Sequence, residues 1–210
     1  VDKVLNLVET QGLAVVIAVL FLYTLFKAIN IMLDRLKKKS KEEQHDILLD
    51  VRKKVGEDIE DILNYAMLRA NACRAYVFEY HNGVTSLGGL PFLKMSNTYE
   101  VVNAGVQSNQ STLMDLPCLL YQKLIRALDL NPYVFLNVND RKEEYGQLVY
   151  EMMVEQGVTQ AILFRFVDKK NRTAGFVGLD YACTEPKCTE GTIEIVRELA
   201  AKIGVLLAIV

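Results

Sequence analysis

Gly157–Ala182 reads GVTQAILFRFVDKKNRTAGFVGLDYA. Two apolar runs, Gln160–Val167 and Ala174–Tyr181, flank a polar connection, Asp168–Arg172. The connection has turn chemistry. Asn171 tolerates a left-handed backbone, and the Asp168 carboxylate can bond nearby main-chain N–H groups. The stretch is therefore expected to be a β-hairpin. In its first strand Ile162, Phe164 and Phe166 share one face, and Leu163, Arg165 and Val167 share the other. A strand apolar on nearly both faces belongs inside a sheet covered on both sides. Arg165 is the exception.

The pattern G-V, apolar strand, D-K-x-N-R, then G-F-x-G-L-D resembles the central hairpin of GAF domains, small sensory domains related to PAS. The resemblance covers about residues 55–210. It implies an α+β fold, an antiparallel sheet with flanking helices. The N- and C-terminal helices would lie on one face and the middle helices over a pocket on the other. The stretch YHNG, then GLPFLKMSNTYEV, is also similar to uncharacterised membrane-anchored GAF-like proteins of bacteriophages.

Composition narrows the field. The chain has 210 residues, 51% of them hydrophobic, with 10 Tyr and 8 Phe, enough for one core and an appendage. A formal charge of −2 argues against a nucleic-acid binder. Cys73, Cys118, Cys183 and Cys188 are scattered, and His45 and His81 lie far apart, so no metal site is expected. The cysteines read as free thiols in a reducing compartment.

Residues 1–33 read as a transmembrane anchor. Leu13–Phe26 carries no charge, and the apolar run from Gly12 to Leu33 spans roughly 30 Å as a helix. The competing reading is a buried core helix, because the uncharged stretch is only 14 residues long. A signal peptide lacks its basic start and its cleavage site. Arg35, Lys37, Lys38, Lys39 and Lys41 follow the run. By the positive-inside rule the anchor is single-pass in the inner (cytoplasmic) membrane, with the N-terminus outside and the domain cytoplasmic. The same cluster suits anionic lipid headgroups.

Residues 34–54 form the basic flank and a helical stalk. Apolar positions recur from Ile47 through Val51, Val55, Ile59, Ile62, Leu63, Ala66 and Met67 to Ala70, one stripe of an amphipathic helix. Ile62 onward is expected to pack on the domain's sheet, and Ile47–Ile59 on the same helix of a neighbouring chain. The expected partners are thus membrane lipid, a second copy, and a small-molecule ligand or protein, with no nucleic acid.

Within residues 55–210, strands are expected at Ala72–His81, Phe92–Gly105 and Tyr133–Val138, besides the hairpin. Asn82–Gly83 should turn the chain, and Thr85–Pro91 should be a loop. Helices are expected over Ser111–Leu130, Glu143–Gln156 and Thr192–Val210. In the first, Ser111 or Thr112 would cap through Asp115, Pro117 would sit in the first turn of the main helix, and Leu119, Leu120, Leu124, Ile125 and Leu128 would be buried. In the second, Leu148, Met152 and Met153 would point inward and Gly157 would end the helix. Asn139, Asp140 and Arg141 should form a turn, and Thr184–Gly191 a loop.

The resemblance places a ligand pocket between the sheet and the middle helices. By position the ligand-binding candidates are Tyr80, His81, Asn82, Ser96, Tyr99, Asp115, Tyr121 and Arg165. A cluster of such groups means a ligand or an internal hydrogen-bond network, since buried polar groups need partners. Asn137-Val138-Asn139-Asp140 departs from the NKxDE-type signature of cyclic-nucleotide-binding GAF domains, having no lysine in place. No cysteine is specified for bilin attachment, and no cofactor is expected. No GxSxG, Walker or dinucleotide motif occurs, and no enzyme is expected. The reading is a membrane-anchored sensory or regulatory binding module that signals through the helix joining domain to membrane. Its alternative is a homo-oligomeric scaffold without a small-molecule ligand.

Overall fold

The computed structural model describes residues 2–85, 91–139, 144–182 and 189–208, with side chains of 2–20, 40–44, 82–85 and 91–92 left aside. Helix α1 covers Asp2–Ala70. The chain divides into two compact units, residues 1–51 and 52–210. In the first unit the described side chains, 21–39 and 45–51, are all exposed. Among the described residues no helix is long and apolar enough to cross a membrane. The span expected over Gly12–Leu33 lies, as far as residue 20, outside the described side chains.

The second unit is a six-stranded antiparallel sheet, counted among the described residues, with helices on both faces. Its strands are β1 Arg74–Thr85, β2 Pro91–Val102, β3 Leu116–Pro117, β4 Tyr133–Asn137, β5 Gln160–Val167 and β6 Thr173–Tyr181, ordered β3-β2-β1-β6-β5-β4. The helices that follow α1 are α2 Gln122–Leu130, α3 Gln147–Glu155 and α4 Glu190–Leu207. One core layer joins α1 and α4 to the face carrying Val77, Phe164, Phe166 and Leu179. The other joins α2 and α3 to the face carrying Phe78, Leu136, Leu163 and Phe176. The alternation in β5 thus feeds two cores. Val167, at the strand's end, is exposed.

The expected turn at 168–172 forms. Asp168 Oδ1 accepts from Lys170 N at 2.8 Å and Arg172 N at 2.9 Å, and Asn171 has φ 58°. Hydrogen bonds from the Arg172 main chain and side chain lower the Asp168 carboxyl to about 2. Both α1 and α3 end in a Schellman motif. Asn71 (φ 53°) and Gly157 (φ 66°) supply the left-handed residue, and Ala72 N bonds Met67 O at 3.0 Å as Val158 N bonds Met153 O at 2.8 Å.

Several expectations are corrected. The chain does not turn at Asn82–Gly83. β1 continues to Thr85, because an irregularity between Asn82 and Thr85 absorbs one extra residue opposite β2. β2 stops at Val102, and Gly105 takes φ 85° in the following turn. Ser111–Leu130 is not one helix. Asp115 has φ 57°, and Leu116, held extended before proline, forms β3 with Pro117 along the edge of β2, opposite Met95 and Lys94. A 3-10 turn, Cys118–Tyr121, precedes α2. Cys118 and Tyr121 face inward there, while Leu119 and Leu120 are 60% and 59% exposed. α3 starts at Gln147 rather than Glu143, and the face it packs on the sheet carries Val149, Tyr150 and Met153, leaving Leu148 exposed. Val55 and Ile59, expected against a neighbouring chain, are buried in the unit's own core, whereas Ile47 and Val51 are exposed. Residues 86–90, Asp140, Arg141, most of the Thr184–Gly191 loop, Cys183, Cys188 and the last two residues lie outside the described residues.

Candidate functional site

Strand β1 alternates Arg74, Tyr76 and Phe78 with Ala75 and Val77. The first set faces α3. Register then sets a polar cluster in an otherwise apolar layer. Arg74 sits opposite Asp180 of β6, and Tyr76 sits between Glu100 of β2 and Gly178 of β6. Gly178 is there for room: a Cβ would stand 2.2 Å from the Tyr76 ring. Lying across that glycine, Tyr76 donates its hydroxyl to Asp180 Oδ1 at 2.9 Å.

Arg74 is enclosed, its side chain 4% exposed. Its Nη1 donates to Asp180 Oδ2 and to Gln156 Oε1, both at 3.0 Å, and its Nη2 donates to Gln107 O at 3.0 Å. Nε stands 3.1 Å from Glu100 Oε1, a close ion pair, but off the line of an N–H bond. Glu100 Oε2 accepts from Ser108 Oγ and from the main-chain N–H of Asn109 and Gln110 at 2.9 Å. Burial pushes the Asp180 carboxyl up to about 6, restrained by Arg74 and the Tyr76 hydroxyl. Burial, then the Asp180 charge, holds the Tyr76 phenol well above its usual range.

Beside this cluster, between the sheet and α3, is a cavity lined by Phe78, Leu163, Phe176, Met152, Met153, Tyr121 and, at its polar end, Tyr76, Gln156 and Asp180. It leaves about 30 Å³ for the centres of water-sized molecules, room for about two waters. A smaller space of about 20 Å³ lies on the far side of Tyr76 and Met152, against Arg74, Glu100 and Asn97. The arrangement suits a small, mostly apolar molecule with a polar head.

The candidate residues read from the sequence divide. Tyr121 lines the cavity. Tyr80 packs edge-on to Phe176, with ring centroids 6.3 Å apart, and its buried hydroxyl has no aligned partner. His81, Ser96 and Asp115 come together at the β2–β3 edge. His81 Nε2 lies 2.8 Å from Ser96 Oγ, which accepts from Asp115 N at 2.8 Å. Asp115 Oδ1 lies 3.9 Å from the same His81 nitrogen and 3.4 Å from Lys94 Nζ. A nucleophile–histidine–acid relay needs its acid on the other ring nitrogen, so this group fixes β3 and has no relay geometry. Tyr99 is on the opposite face, packed on α1 at Gly56. Arg165 donates to Asp129 O at 2.6 Å and so caps the last turn of α2. The Asn82 side chain lies outside the described residues. Neither Tyr99 nor Arg165 joins the cavity.

Arg74, Tyr76, Glu100, Gln156 and Asp180 were not among the sequence candidates. The available signal was charge inside apolar strands: Arg74, Glu100 and Asp180 each interrupt such a run.

No protein-family model matches the sequence, and no curated protein matches it. Solved structures do. The blue-light absorbing form of the Thermosynechococcus elongatus PixJ GAF domain aligns with TM-score 0.60 at 13% identity, over 76% of this chain and 88% of that one. A far-red cyanobacteriochrome photoreceptor aligns with TM-score 0.58 at 11% identity, over 82% and 97%. A GAF domain/HD domain protein from Geobacter sulfurreducens aligns with TM-score 0.55 at 12% identity, over 73% and 92%. At these identities the likeness is one of architecture: this chain carries a GAF domain fold.

Proposed function

We propose that the chain is a membrane-tethered sensory or regulatory module whose GAF-fold domain binds a small molecule between its sheet and α3. The observation that carries this reading is the cavity walled by Phe78, Leu163, Phe176 and Met153 and closed at one end by the Asp180 carboxylate. An apolar chamber with a few convergent polar groups is the form of a ligand site. Occupancy would bias the packing of β1 and β6, on whose other face α1 is seated through Val55, Ile59 and Leu63. Two fold neighbours, one a photoreceptor and one a blue-light absorbing GAF domain by description, are compatible with that use of the fold. Phe21, Leu22, Tyr23, Leu25 and Phe26 are all exposed, around a full turn of α1. A helix apolar all round needs an apolar surrounding, and a bilayer supplies it. Native mass spectrometry of the whole chain in mild detergent tests the binding part. A retained small-molecule mass, lost on Leu163→Trp, supports it, and a chain bare from every source refutes it.

One observation favours a second reading. Ile47, Leu48, Leu49 and Val51 lie exposed on α1, a surface for the same helix of another copy. In that reading the chain is a homo-oligomeric scaffold. A discrete oligomer that falls to monomer without residues 1–51, and that never carries a ligand, would establish it over the first.

A further inference from the structure

The polar end of the cavity has a definite electrical character. One guanidinium, Arg74, stands against two carboxylates, Glu100 and Asp180, and all three side chains are at most 4% exposed. With both acids ionised, the cluster is one positive charge short. The three do not face the cavity equally. Asp180 lines it, and Arg74 and Glu100 line only the smaller space beyond Tyr76. Arg74 also keeps most of its N–H groups inside the cluster. Nη1 is spent on Asp180 and Gln156, Nη2 on Gln107 O, and Nε faces Glu100. Glu100 Oε2 already takes three donors. Asp180 takes two, the Tyr76 hydroxyl and Arg74 Nη1. An ionised carboxylate has about four acceptor positions, so about two remain.

We propose that the cavity binds a small organic cation, a protonated amine or amidine on a compact apolar body, with its N–H groups on the open acceptor positions of Asp180. Such a ligand balances the buried charge, and a buried unbalanced charge is costly. An anion would meet the Asp180 carboxylate first. The apolar body lies among Phe78, Phe176 and Leu163, and Met152 and Met153, adaptable side chains, move to enlarge the space. The inference rests on the binding reading above and adds to it the sign of the ligand's charge.

The test uses the full chain in mild detergent, with methyl-labelled methionine and three probes of one branched body. They are isoamylamine, isoamyl alcohol and isovalerate, whose heads are cationic, neutral and anionic. The Met152 and Met153 methyl resonances report binding. The amine is expected to bind about ten-fold or more tightly than the alcohol, as a charge-assisted bond replaces a neutral one, and isovalerate is expected to leave the methyls unmoved. Asp180→Asn is expected to bring amine and alcohol within about two-fold of each other, since the charge that separates them is gone. If that variant fails to fold, the three probes on the unaltered chain decide. Alcohol or isovalerate binding as tightly as the amine overturns the cation and leaves the pocket standing. Three probes that move neither methyl overturn the pocket as well.

Discussion

Replacing Asp180 with asparagine removes a carboxyl whose cost to the fold depends on pH. Burial holds Asp180 near about 6, against 3.8 for an ordinary aspartate. At about 1.4 kcal/mol per pH unit, that gap amounts to about 3 kcal/mol. The sign follows from proton counting. Between about pH 4 and 6 the folded chain holds a proton that the unfolded chain has released, so folding is favoured at the acid end. That contribution is complete below about pH 4, is lost as pH rises through about 6, and does not change further above. The chain has no Trp and 10 Tyr, so urea unfolding followed by tyrosine fluorescence reports the transition. Unaltered and Asp180→Asn chains are compared in steps across this range, and titrating groups that do not interact with Asp180 cancel in the difference. The stability advantage of the unaltered chain is expected to shrink by about 3 kcal/mol from the acid end to neutrality. A flat difference, within about 0.5 kcal/mol, refutes the reasoning. An advantage that grows with pH refutes it more sharply, because attraction to Arg74 would then exceed the cost of burial.

Further outcomes follow from single contacts. Gly178→Ala puts a Cβ 2.2 Å from the Tyr76 ring. The ring must swing off Asp180, and the unfolding free energy is expected to fall by about 1–3 kcal/mol. Ile59→Ala, at a fully buried position of α1, is expected to cost about 2–5 kcal/mol. Ile47→Ala, 63% exposed, is expected to leave the unfolding free energy of the 52–210 unit within about 0.5 kcal/mol of the unaltered chain. Arg165→Ala removes the donor at the end of α2. It is expected to cost about 1–2 kcal/mol in urea unfolding and to leave the response to isoamylamine unchanged, which a ligand-contacting arginine would not. Asn171→Ala, at φ 58°, is expected to destabilise by about 1–2 kcal/mol, and Asn171→Gly to be neutral or better by the same assay.

The hairpin at 157–182 was legible because its signals are local. Alternation with a period of two, Asp168 and Asn171 in the turn, and a glycine after a helix each act within a few residues. The α1 stripe was legible for the same reason, although not its partner. Val55 and Ile59 have the pattern of any amphipathic helix, and only the sheet's position shows that they belong to its core. The segment 111–130 was misread because a helical period at Leu120, Leu124 and Leu128 continues N-terminally into residues that Pro117 and the edge of β2 hold extended. Propensity there lost to a strand edge that offers hydrogen bonds.

The site was the least legible part. Position in the middle helix pointed to Tyr121, and position along the strands pointed less directly to Tyr80 but also to Tyr99 and Arg165. Which face a strand residue takes follows from parity, and parity slips at irregularities such as the one between Val77 and Phe78. The sequence by itself determined the central hairpin, the helix end at Gly157 and the apolar N-terminal run, because each depends on neighbours along the chain. The tertiary structure decided that Arg74, Glu100 and Asp180 meet. They come from three strands and are joined by cross-strand register. Their burial, which raises Asp180, exists only once α3 covers the sheet.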